Sequence, residues 1–430
     1  MDINRKIAFL VLIDIEKNQA YSNLSLNKQI SNNSNEKVNE GFVRELVYGV
    51  LENKMYLDYI LKCLIPRPIS KNRIEITTIL RMGIFQILQM NSVPDYAAVD
   101  ESVKLVNKLF KNQASFVNGV LRNYLRNKSD IVISKEGRSI SEYLSIKYSH
   151  AKWIIDYWLE SFNPEFVEEL LLENNTTPLI CIRANPLLVT TDDLIQKLED
   201  LNFQIARGEL VEEAIYVKGN NLLKEPLFLD GFFSVQDESS MLAVKMLDPK
   251  PGETIIDTCA APGGKSINIA EKMNNQGSVI SLDIYEHKLK LIEHAAIKNK
   301  ISNMTTSLWD SVFLNNDLIC RGDKVIVDAP CSGLGVLRRK PELKYKGDLS
   351  KVIELSQVQS RILENASKYV VDQGTLIYCT CTISKVENQN VVEKFLLENP
   401  QFEKIEEIQL FPNIHHTDGF FICKMIKSIL

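Results

Sequence analysis

From about residue 232 onward, segments typical of strands alternate with segments typical of helices, and this alternation constrains the fold most strongly. The strand segments are short and apolar, whereas the segments between them repeat apolar residues at helical spacing. Strands are predicted at 253–259, 278–284, 305–309, 324–328 and 375–380, and helices at 265–273, 286–299, 349–371 and 388–398. Such alternation predicts a doubly wound, mostly parallel sheet, in which ligands bind outside the carboxyl ends of the strands.

The first 130 or so residues show helical periodicity and almost no strand pattern. Apolar residues recur at helical spacing over 74–88, 99–109 and 116–125, which predicts a compact helical bundle. The polar stretch 127–138 is interpreted as a linker. Residues 145–230 mix both patterns: helices are predicted at 151–159, 164–174 and 191–201 and strands at 179–183 and 215–217, as in a small α+β module.

The composition is that of a folded protein rather than a disordered, collagen-like or disulfide-stapled chain. Of 430 residues, 45% are hydrophobic and 24% are charged, and no run reaches the roughly 20 apolar residues that span a bilayer. Ile7, Leu10, Val11 and Asp14 stand at helical spacing, which indicates an amphipathic helix and not a secretory signal. We therefore expect a cytoplasmic protein without membrane contact, whose eight cysteines are thiols. We also expect a monomer, although no sequence pattern determines the oligomeric state.

The charge is unevenly distributed along the chain. Residues 1–128 hold 18 Lys and Arg against 12 Asp and Glu, whereas the whole chain has a net charge of −5. A basic N-terminal module on an acidic body indicates contact with nucleic acid. The alternative is a solvated face that is basic by chance.

A glycine-rich loop follows the first predicted strand of the C-terminal half. It reads DTCAAPGGK from Asp257 to Lys265, and small residues with paired glycines let the backbone turn tightly and approach a ligand. The loop matches neither the GxGxxG nor the GxxxxGK[ST] pattern. The next strand ends at Asp283, where an acid can accept hydrogen bonds from ribose hydroxyls. Together they favour a nucleoside cofactor, although a tight turn and a helix cap without ligand are the alternatives.

Two cysteines follow strands that we expect to be neighbours. Cys331 comes just after Asp328, and Cys381 follows the strand predicted at 375–380. A structural cysteine is more often buried within a strand, and Cys379 and Cys381 alternate across the strand, so they cannot easily chelate one ion. The histidines have no ligand spacing to these cysteines, so we expect no metal. A thiolate nucleophile beside a nucleoside cofactor is the favoured interpretation.

Several stretches of the C-terminal half resemble the RNA cytosine-5 methyltransferases, which use S-adenosyl-methionine. They are DTCAAPGGK at 257–265, DAPCSGLGVLRRKPE at 328–342, YCTCTI at 378–383 followed by Glu387 and Asn388, DGFF at 418–421 and FSVQDESS at 233–240. In the N-terminal part, AVDESV at 98–103 and FVNGVLR at 116–122 resemble the NusB antitermination fold. The pairing is similar to the Sun/Fmu/RsmB subfamily over nearly the whole chain, and weakest over 130–230. Cys379 stands where that family often has Ser or Ala, and we expect it to be only an extra thiol.

The resemblance implies a multidomain fold. An all-α NusB-like RNA-binding bundle would occupy 1–130, a small α+β module 145–230, and an α/β Rossmann-like methyltransferase domain that depends on S-adenosyl-methionine 231–430.

The resemblance also implies roles for individual residues. Cys381 would be the nucleophile that adds to carbon 6 of cytosine, Cys331 would assist the later elimination, and Asp328 would hydrogen-bond the base and also reach the cofactor. From spacing alone, Cys331 could equally be the attacking thiol. The residues implied for cofactor binding are Cys259, Ala260, Ala261, Pro262, Gly263, Gly264, Lys265, Asp283, Asp310 and Asp328. Without the resemblance, Asp310 would equally be a turn cap.

The implied substrate is the cytosine numbered 967 in 16S rRNA. The basic run that follows Cys331 is expected to contact phosphates; it comprises Arg338, Arg339, Lys340, Lys344 and Lys346. The helical module would position or select the RNA, with a packing appendage as its alternative. Three alternatives for the whole chain are the same chemistry on a tRNA or another rRNA cytosine, a catalytically idle RNA-binding scaffold, and a nicotinamide oxidoreductase. The paired thiols with Asp328 disfavour the second, and the Pro-Gly-Gly loop disfavours the third.

Overall fold

A computed structural model of the protein describes residues 2–67 and 73–429. The chain divides into two compact units. The first comprises Met1–Thr176 and Leu337–Asp348, and the second comprises Thr177–Val336 and Leu349–Leu430. None of the helices within the described ranges combines the length and apolarity needed to cross a membrane.

The described residues of the first unit form helices joined by loops and turns. In chain order its α-helices are α1 Ile3–Asn18, α2 Ser22–Asn32, α3 Glu40–Glu52, α4 Lys54–Leu64, α5 Ile74–Gln89, α6 Asp95–Leu109, α7 Ala114–Asn127, α8 Ile140–Tyr148, α9 Lys152–Leu159 and α10 Pro164–Glu173. The helices α1 to α7 pack around one apolar core that includes Ile7, Leu46, Leu80 and Leu121. Burying one apolar stripe of each helix in this way stabilises the bundle. The three helices predicted from periodicity are confirmed as α5, α6 and α7.

The second unit begins with a small sheet of four antiparallel strands in the order β2-β3-β1-β4. Its elements are β1 Ile180–Ala184, α11 Thr191–Asp200, β2 Gln204–Arg207, β3 Ala214–Lys218, α12 Pro226–Leu229 and β4 Phe233–Val235. Thr190 caps α11 by accepting a hydrogen bond from the backbone of Asp193. The predicted strands at 179–183 and 215–217 are confirmed. The short strands β2 and β4 were not predicted, because neither has a regular alternation of buried and exposed residues.

A seven-stranded sheet in the order β10-β11-β9-β8-β5-β6-β7 forms the rest of this unit. Its elements are α13 Glu238–Leu247, β5 Thr254–Asp257, α14 Gly264–Lys272, β6 Ser278–Asp283, α15 Glu286–Lys298, β7 Met304–Leu308, β8 Gly322–Asp328, α16 Leu349–Ser367, β9 Val370–Thr380, α17 Gln389–Glu398, β10 Phe402–Leu410, α18 Pro412–His415 and β11 Phe420–Lys427. The strands β5 to β9 are mutually parallel, whereas β10 and β11 pair antiparallel. The doubly wound sheet is therefore confirmed.

The structure differs from the prediction around residues 368–371. The helix predicted to end at residue 371 ends at Ser367, and Val370 already begins β9. The apolar residues Tyr369 and Val370 continue the helical spacing, yet both are fully buried in the core beside the sheet. Here the tertiary environment, and not the local pattern, decides the structure.

The strand order places the motifs together at the carboxyl ends of the parallel strands, along one side of the large sheet. The strand β5 lies between β6 and β8, so the chain order reverses at β5, and such a reversal opens a crevice at the carboxyl ends. At that edge Asp328 is paired in register with Cys379, and Asp283 with Leu308.

Candidate active site

The loop between β5 and α14 is fixed mainly by backbone hydrogen bonds. Ala260 N–H donates to the carbonyl of Leu282 at 2.8 Å, and Gly263 N–H donates to the carbonyl of Ala260 at 2.7 Å. Gly263 has φ +103°, which side chains other than glycine rarely adopt. A Cβ built on Gly264 would meet only Gln236 Nε2, at 3.9 Å. Gly264, the first residue of α14, therefore has open space beside it, as a cofactor-binding loop requires.

Asp283 at the end of β6 is tied to this loop. Its Oδ2 accepts a hydrogen bond from Ala261 N–H at 3.2 Å, and its Oδ1 accepts one from Tyr285 N–H at 3.1 Å. The carboxylate thus fixes the loop and caps the turn before α15. Because each carboxylate oxygen has two lone pairs, it keeps acceptor capacity for ribose hydroxyls.

Asp310, just beyond β7, caps its own turn. Its Oδ1 accepts a hydrogen bond from Val312 N–H at 3.0 Å. The next residue, Ser311, donates from its hydroxyl to the carbonyl of Thr258 at 2.6 Å, so the turn is attached to the cofactor loop. This position is compatible with an adenine-side contact, and the turn cap inferred from sequence is also present.

Asp328 links the cofactor loop to the cysteine strands. Its Oδ2 lies 2.6 Å from the ammonium nitrogen of Lys265, which is 8% exposed, and Cys379 Sγ donates to its Oδ1 at 3.8 Å. Burial opposes the charged form of Lys265 most strongly, but the combined attraction of Asp328, Cys379 and Asp257 and the hydrogen bond to Asp328 outweigh it and raise the pKa of Lys265. Lys265 therefore remains an ammonium that holds Asp328 in place. Cys379, expected to be only an extra thiol, is thus in contact with a candidate catalytic residue.

Cys331 and Cys381 are brought together by the parallel pairing of β8 and β9. Their sulfur atoms lie 3.2 Å apart, and both side chains are partly exposed at the edge of the sheet. The hydrogen bond with Cys381 raises the pKa of the Cys331 thiol, and burial raises it further. A short thiol–thiol contact places both nucleophilic groups within reach of one substrate ring. Like the other six cysteines, both are free thiols.

Two glycines let the DGFF segment approach the loop that carries Cys331. Gly335 N–H donates to the carbonyl of Cys381 at 3.1 Å, and Gly419 N–H donates to the carbonyl of Gly335 at 2.8 Å. A Cβ on Gly335 would overlap the backbone of Gly419. Neither glycine was identified as a site residue from the sequence, because no local pattern indicates that they touch.

Two further residues missed as site residues are Glu387 and Asn388. Both are fully buried, and their side chains contact residues next to Cys331 and Cys381. The sequence places them after the YCTCTI motif but gives no sign of these partners. Lone polar residues before a helix are ordinarily read as caps.

The basic run after Cys331 is not arranged as expected. Arg338 is 7% exposed and pairs with Glu173 at 3.0 Å, and Lys344 is fully buried and hydrogen-bonds Asn175. The expectation that these two cations contact phosphates is wrong, because the segment Leu337–Asp348 packs within the helical unit. In that setting the apolar stems of both side chains and the ion pair of Arg338 with Glu173 stabilise the fold.

No group of three or more metal-ligating side chains occurs within residues 2–67 and 73–429. The large sheet carries a glycine-rich loop, an acid and two paired cysteines at the carboxyl ends of its strands. This fold and this set of residues define an S-adenosyl-methionine-dependent methyltransferase. The chain matches the model of the 16S rRNA methyltransferase RsmB/F family over 244–426, the NusB family over 2–126, and the RsmF/B-like ferredoxin-like domain over 150–222. It belongs to the ribosomal RNA small subunit methyltransferase B family.

Individual relatives agree with this assignment. The probable ribosomal RNA small subunit methyltransferase B of Bacillus subtilis (strain 168) is 37% identical over 99% of this chain and 98% of its own length. A solved structure of the protein PH0851 has a TM-score of 0.84 at 23% identity and covers 99% of both chains, which shows the fold. A methyltransferase homolog protein from Pyrococcus horikoshii is 26% identical with a TM-score of 0.61, over 68% of this chain and 99% of its own.

Proposed function

We propose that this protein transfers a methyl group from S-adenosyl-methionine to carbon 5 of a cytosine in 16S rRNA, at the position numbered 967, through a covalent adduct with Cys381. The observation that carries the proposal is the pair of thiols 3.2 Å apart beside Asp328, at the same sheet edge as the glycine-rich loop. Membership of the ribosomal RNA small subunit methyltransferase B family supports the substrate class.

The residues of the loop 259–265, with Asp283, Asp310 and Asp328, would hold the cofactor. When bound, S-adenosyl-methionine supplies the methyl group in electrophilic form. The remaining chemistry falls to the chain, because carbon 5 of cytosine is not nucleophilic enough to accept a methyl group unaided.

In this proposal the thiolate of Cys381 forms a bond to carbon 6, and the displaced electron pair makes carbon 5 nucleophilic. Asp328 hydrogen-bonds the ring and stabilises the charge that develops there. After methylation the proton on carbon 5 leaves to a base on the Cys331 side. The electron pair it leaves re-forms the ring double bond, and the sulfur–carbon bond breaks with its own pair returning to Cys381.

Bisulfite sequencing of rRNA and tRNA from cells that lack the protein tests the substrate. The expected result is loss of 5-methylcytosine at 16S position 967, restored by the wild-type chain and not by Cys381→Ala. Loss at a tRNA position or at another rRNA cytosine instead would favour the same chemistry on that substrate. Unchanged methylation throughout would favour the non-catalytic RNA-binding scaffold.

We further propose a chain of three domains at 1–130, 145–230 and 231–430, acting as a cytoplasmic monomer away from membranes, with the first domain contacting RNA. The excess of basic residues over 1–128 supports the RNA contact.

Arg122 and Arg126 are exposed on α7, so the double variant Arg122→Glu/Arg126→Glu should weaken binding of 16S rRNA fragments. The slope of its salt dependence should be shallower by roughly 0.7 for each phosphate that the variant no longer neutralises. An unchanged slope, equal to that of the control Lys394→Glu on α17, would leave the first domain with a packing role.

A further inference from the structure

Glu387 and Asn388 are adjacent in sequence, fully buried, and not used by the proposed chemistry. They lie between β9 and α17, a few residues beyond Cys381. Buried polar side chains are costly unless they are hydrogen-bonded. The partners of these two side chains therefore indicate what each one does.

The carboxylate of Glu387 holds the loop that carries Cys331. Its Oε1 accepts hydrogen bonds from Ser332 N–H at 2.7 Å and from Gln359 Nε2 at 3.0 Å, and its Oε2 accepts one from the Ser332 hydroxyl at 2.5 Å. Gln359 also donates to the carbonyl of Pro330 at 2.9 Å. The residues on both sides of Cys331 are thus fixed, directly or through Gln359, by one buried carboxylate.

The side chain of Asn388 holds the loop that carries Cys381. Its Oδ1 accepts a hydrogen bond from the Thr380 hydroxyl at 2.6 Å, and its Nδ2 donates to the carbonyl of Thr382 at 3.0 Å. A second hydrogen bond from Nδ2 reaches Gln409 Oε1 at 2.8 Å and fixes the amide orientation. The residues on both sides of Cys381 are thus fixed by one buried amide.

We propose that Glu387 and Asn388 are separate positioning residues for the two thiols: Asn388 sets Cys381 for attack on the base, and Glu387 sets Cys331 for release of the adduct. This inference rests on the proposed function, since it needs a covalent adduct with separable formation and release. The two side chains contact neither thiol's own sulfur in the hydrogen bonds above, so they act through the backbone and hydroxyl groups that flank each cysteine.

The division follows from the shortest contacts of each side chain. Glu387 Oε2 also accepts a hydrogen bond from the Thr382 hydroxyl, but at 3.4 Å, whereas its hydrogen bonds from Ser332 are 2.5 and 2.7 Å long. Displacing a reacting group by about 1 Å can cost roughly a hundredfold in rate. A shift of the Cys381 loop affects the step in which sulfur meets carbon 6, whereas a shift of the Cys331 loop affects only the later step. The charge of Glu387 also adds, after the hydrogen bond to Cys381 and burial, to the rise in the pKa of Cys331.

Two isosteric substitutions test the proposal, since Glu387→Gln exchanges an acceptor for a donor and Asn388→Asp exchanges a donor for an acceptor. Each full-length variant is mixed with a 16S rRNA fragment that contains the target cytosine and with S-adenosyl-methionine, and the complex that survives denaturing electrophoresis is followed over time. For Asn388→Asp we expect adduct formation to slow by roughly tenfold or more. For Glu387→Gln we expect near-normal formation and a complex that persists roughly tenfold longer than wild type, as in Cys331→Ala.

Ser332→Ala is the milder variant if Glu387→Gln does not fold, because it removes the hydroxyl hydrogen bonds to Glu387 and Thr382 and keeps the backbone one to Glu387. It should prolong the adduct in the same direction, with calorimetric binding of S-adenosyl-methionine unchanged. Equal loss of adduct formation in the Glu387 and Asn388 variants, with cofactor binding intact, would overturn the proposal. If wild type and Cys331→Ala methylate RNA but form no adduct, even with a 5-fluorocytosine substrate, the covalent mechanism itself fails, which is a different result.

Discussion

The active site extends along the carboxyl ends of the strands of the large sheet, and its two ends are held by different kinds of contact. At the end formed by β5 and β6, the loop of residues 258–263 is fixed by backbone hydrogen bonds and by Asp283, which lies within 26 residues of Asp257. At the end formed by β8 and β9, the loops that carry Cys331 and Cys381 are fixed by buried side chains. One of these, Glu387, lies 55 residues from its partner Ser332.

This difference shows that the cofactor-binding loop and the catalytic thiols of one sheet are held in place by different contacts. A loop shaped by its own glycines and backbone bonds depends on few side chains elsewhere, here Asp283 and Ser311. A pair of thiols on neighbouring strands needs partners that reach across the fold, and each of those partners is a site where a substitution can disturb chemistry without disturbing cofactor binding. The ion pair of Lys265 with Asp328 connects the two ends.

Apart from substitutions of the two cysteines themselves, the one expected to disturb the cysteine end most is Gly335→Ala. The new Cβ would overlap the backbone of Gly419 and force apart the hydrogen bonds that join Cys381, Gly335 and Gly419. We expect methyl transfer to fall by roughly a hundredfold or more, measured with labelled cofactor and a 16S rRNA fragment. Calorimetric affinity for S-adenosyl-methionine should change little.

Gly119→Ala is the matched control, since a Cβ there meets nothing within 4 Å and the residue lies within the helix α7. It should be neutral or stabilising by about 0.5–1 kcal/mol. Wild-type activity in Gly335→Ala would mean that the close approach of the two glycines is not needed for the chemistry.

The connection between the two ends is tested by Asp328→Ala. The substitution leaves the buried ammonium of Lys265 without its carboxylate, which should lower the free energy of unfolding by about 3 kcal/mol. Chemical denaturation measures this, and the double variant Lys265→Met/Asp328→Ala should recover much of the stability. If the double variant is no more stable than Asp328→Ala, the unpaired charge is not the cause of the destabilisation.

A smaller effect is expected at the cofactor end for Asp283→Ala. Removing the acceptor should weaken binding of S-adenosyl-methionine by roughly 1–3 kcal/mol, measured by calorimetry, while adduct formation at saturating cofactor is kept. Asp310→Ala provides the comparison at the neighbouring turn, where the carboxylate also caps its own backbone. Unchanged affinity in a folded Asp283→Ala variant would remove Asp283 from the cofactor site.

The same contrast explains how much of the fold and of the site can be predicted from the sequence. The helices of the first unit and the five parallel strands follow local periodicity, and the glycine-rich loop and Asp283 are close enough in sequence to be recognised as one site. The adjacency of Cys331 and Cys381 was also predictable, because consecutive parallel strands end at one edge. The strands β10 and β11 were not predicted, although their pairing with β9 completes the sheet.

Other features depend on contacts that no local pattern records. The burial of Arg338 and Lys344 depends on Glu173 and Asn175, more than 160 residues away, so two cations of a basic run that the sequence predicts to contact phosphates are in fact internal. The role of Glu387 likewise depends on Ser332 and Gln359. A buried charge can be recognised only once its distant partner is placed.

The central claim is that the two thiols act on opposite halves of one reaction. Denaturing electrophoresis of the full-length chain with a 16S rRNA fragment and S-adenosyl-methionine tests it most directly. We predict that Cys381→Ala gives neither methyl transfer nor a covalent complex, whereas Cys331→Ala loses turnover and accumulates a complex cleavable by protease or nuclease. A complex trapped in Cys381→Ala and absent in Cys331→Ala would contradict this assignment and make Cys331 the nucleophile.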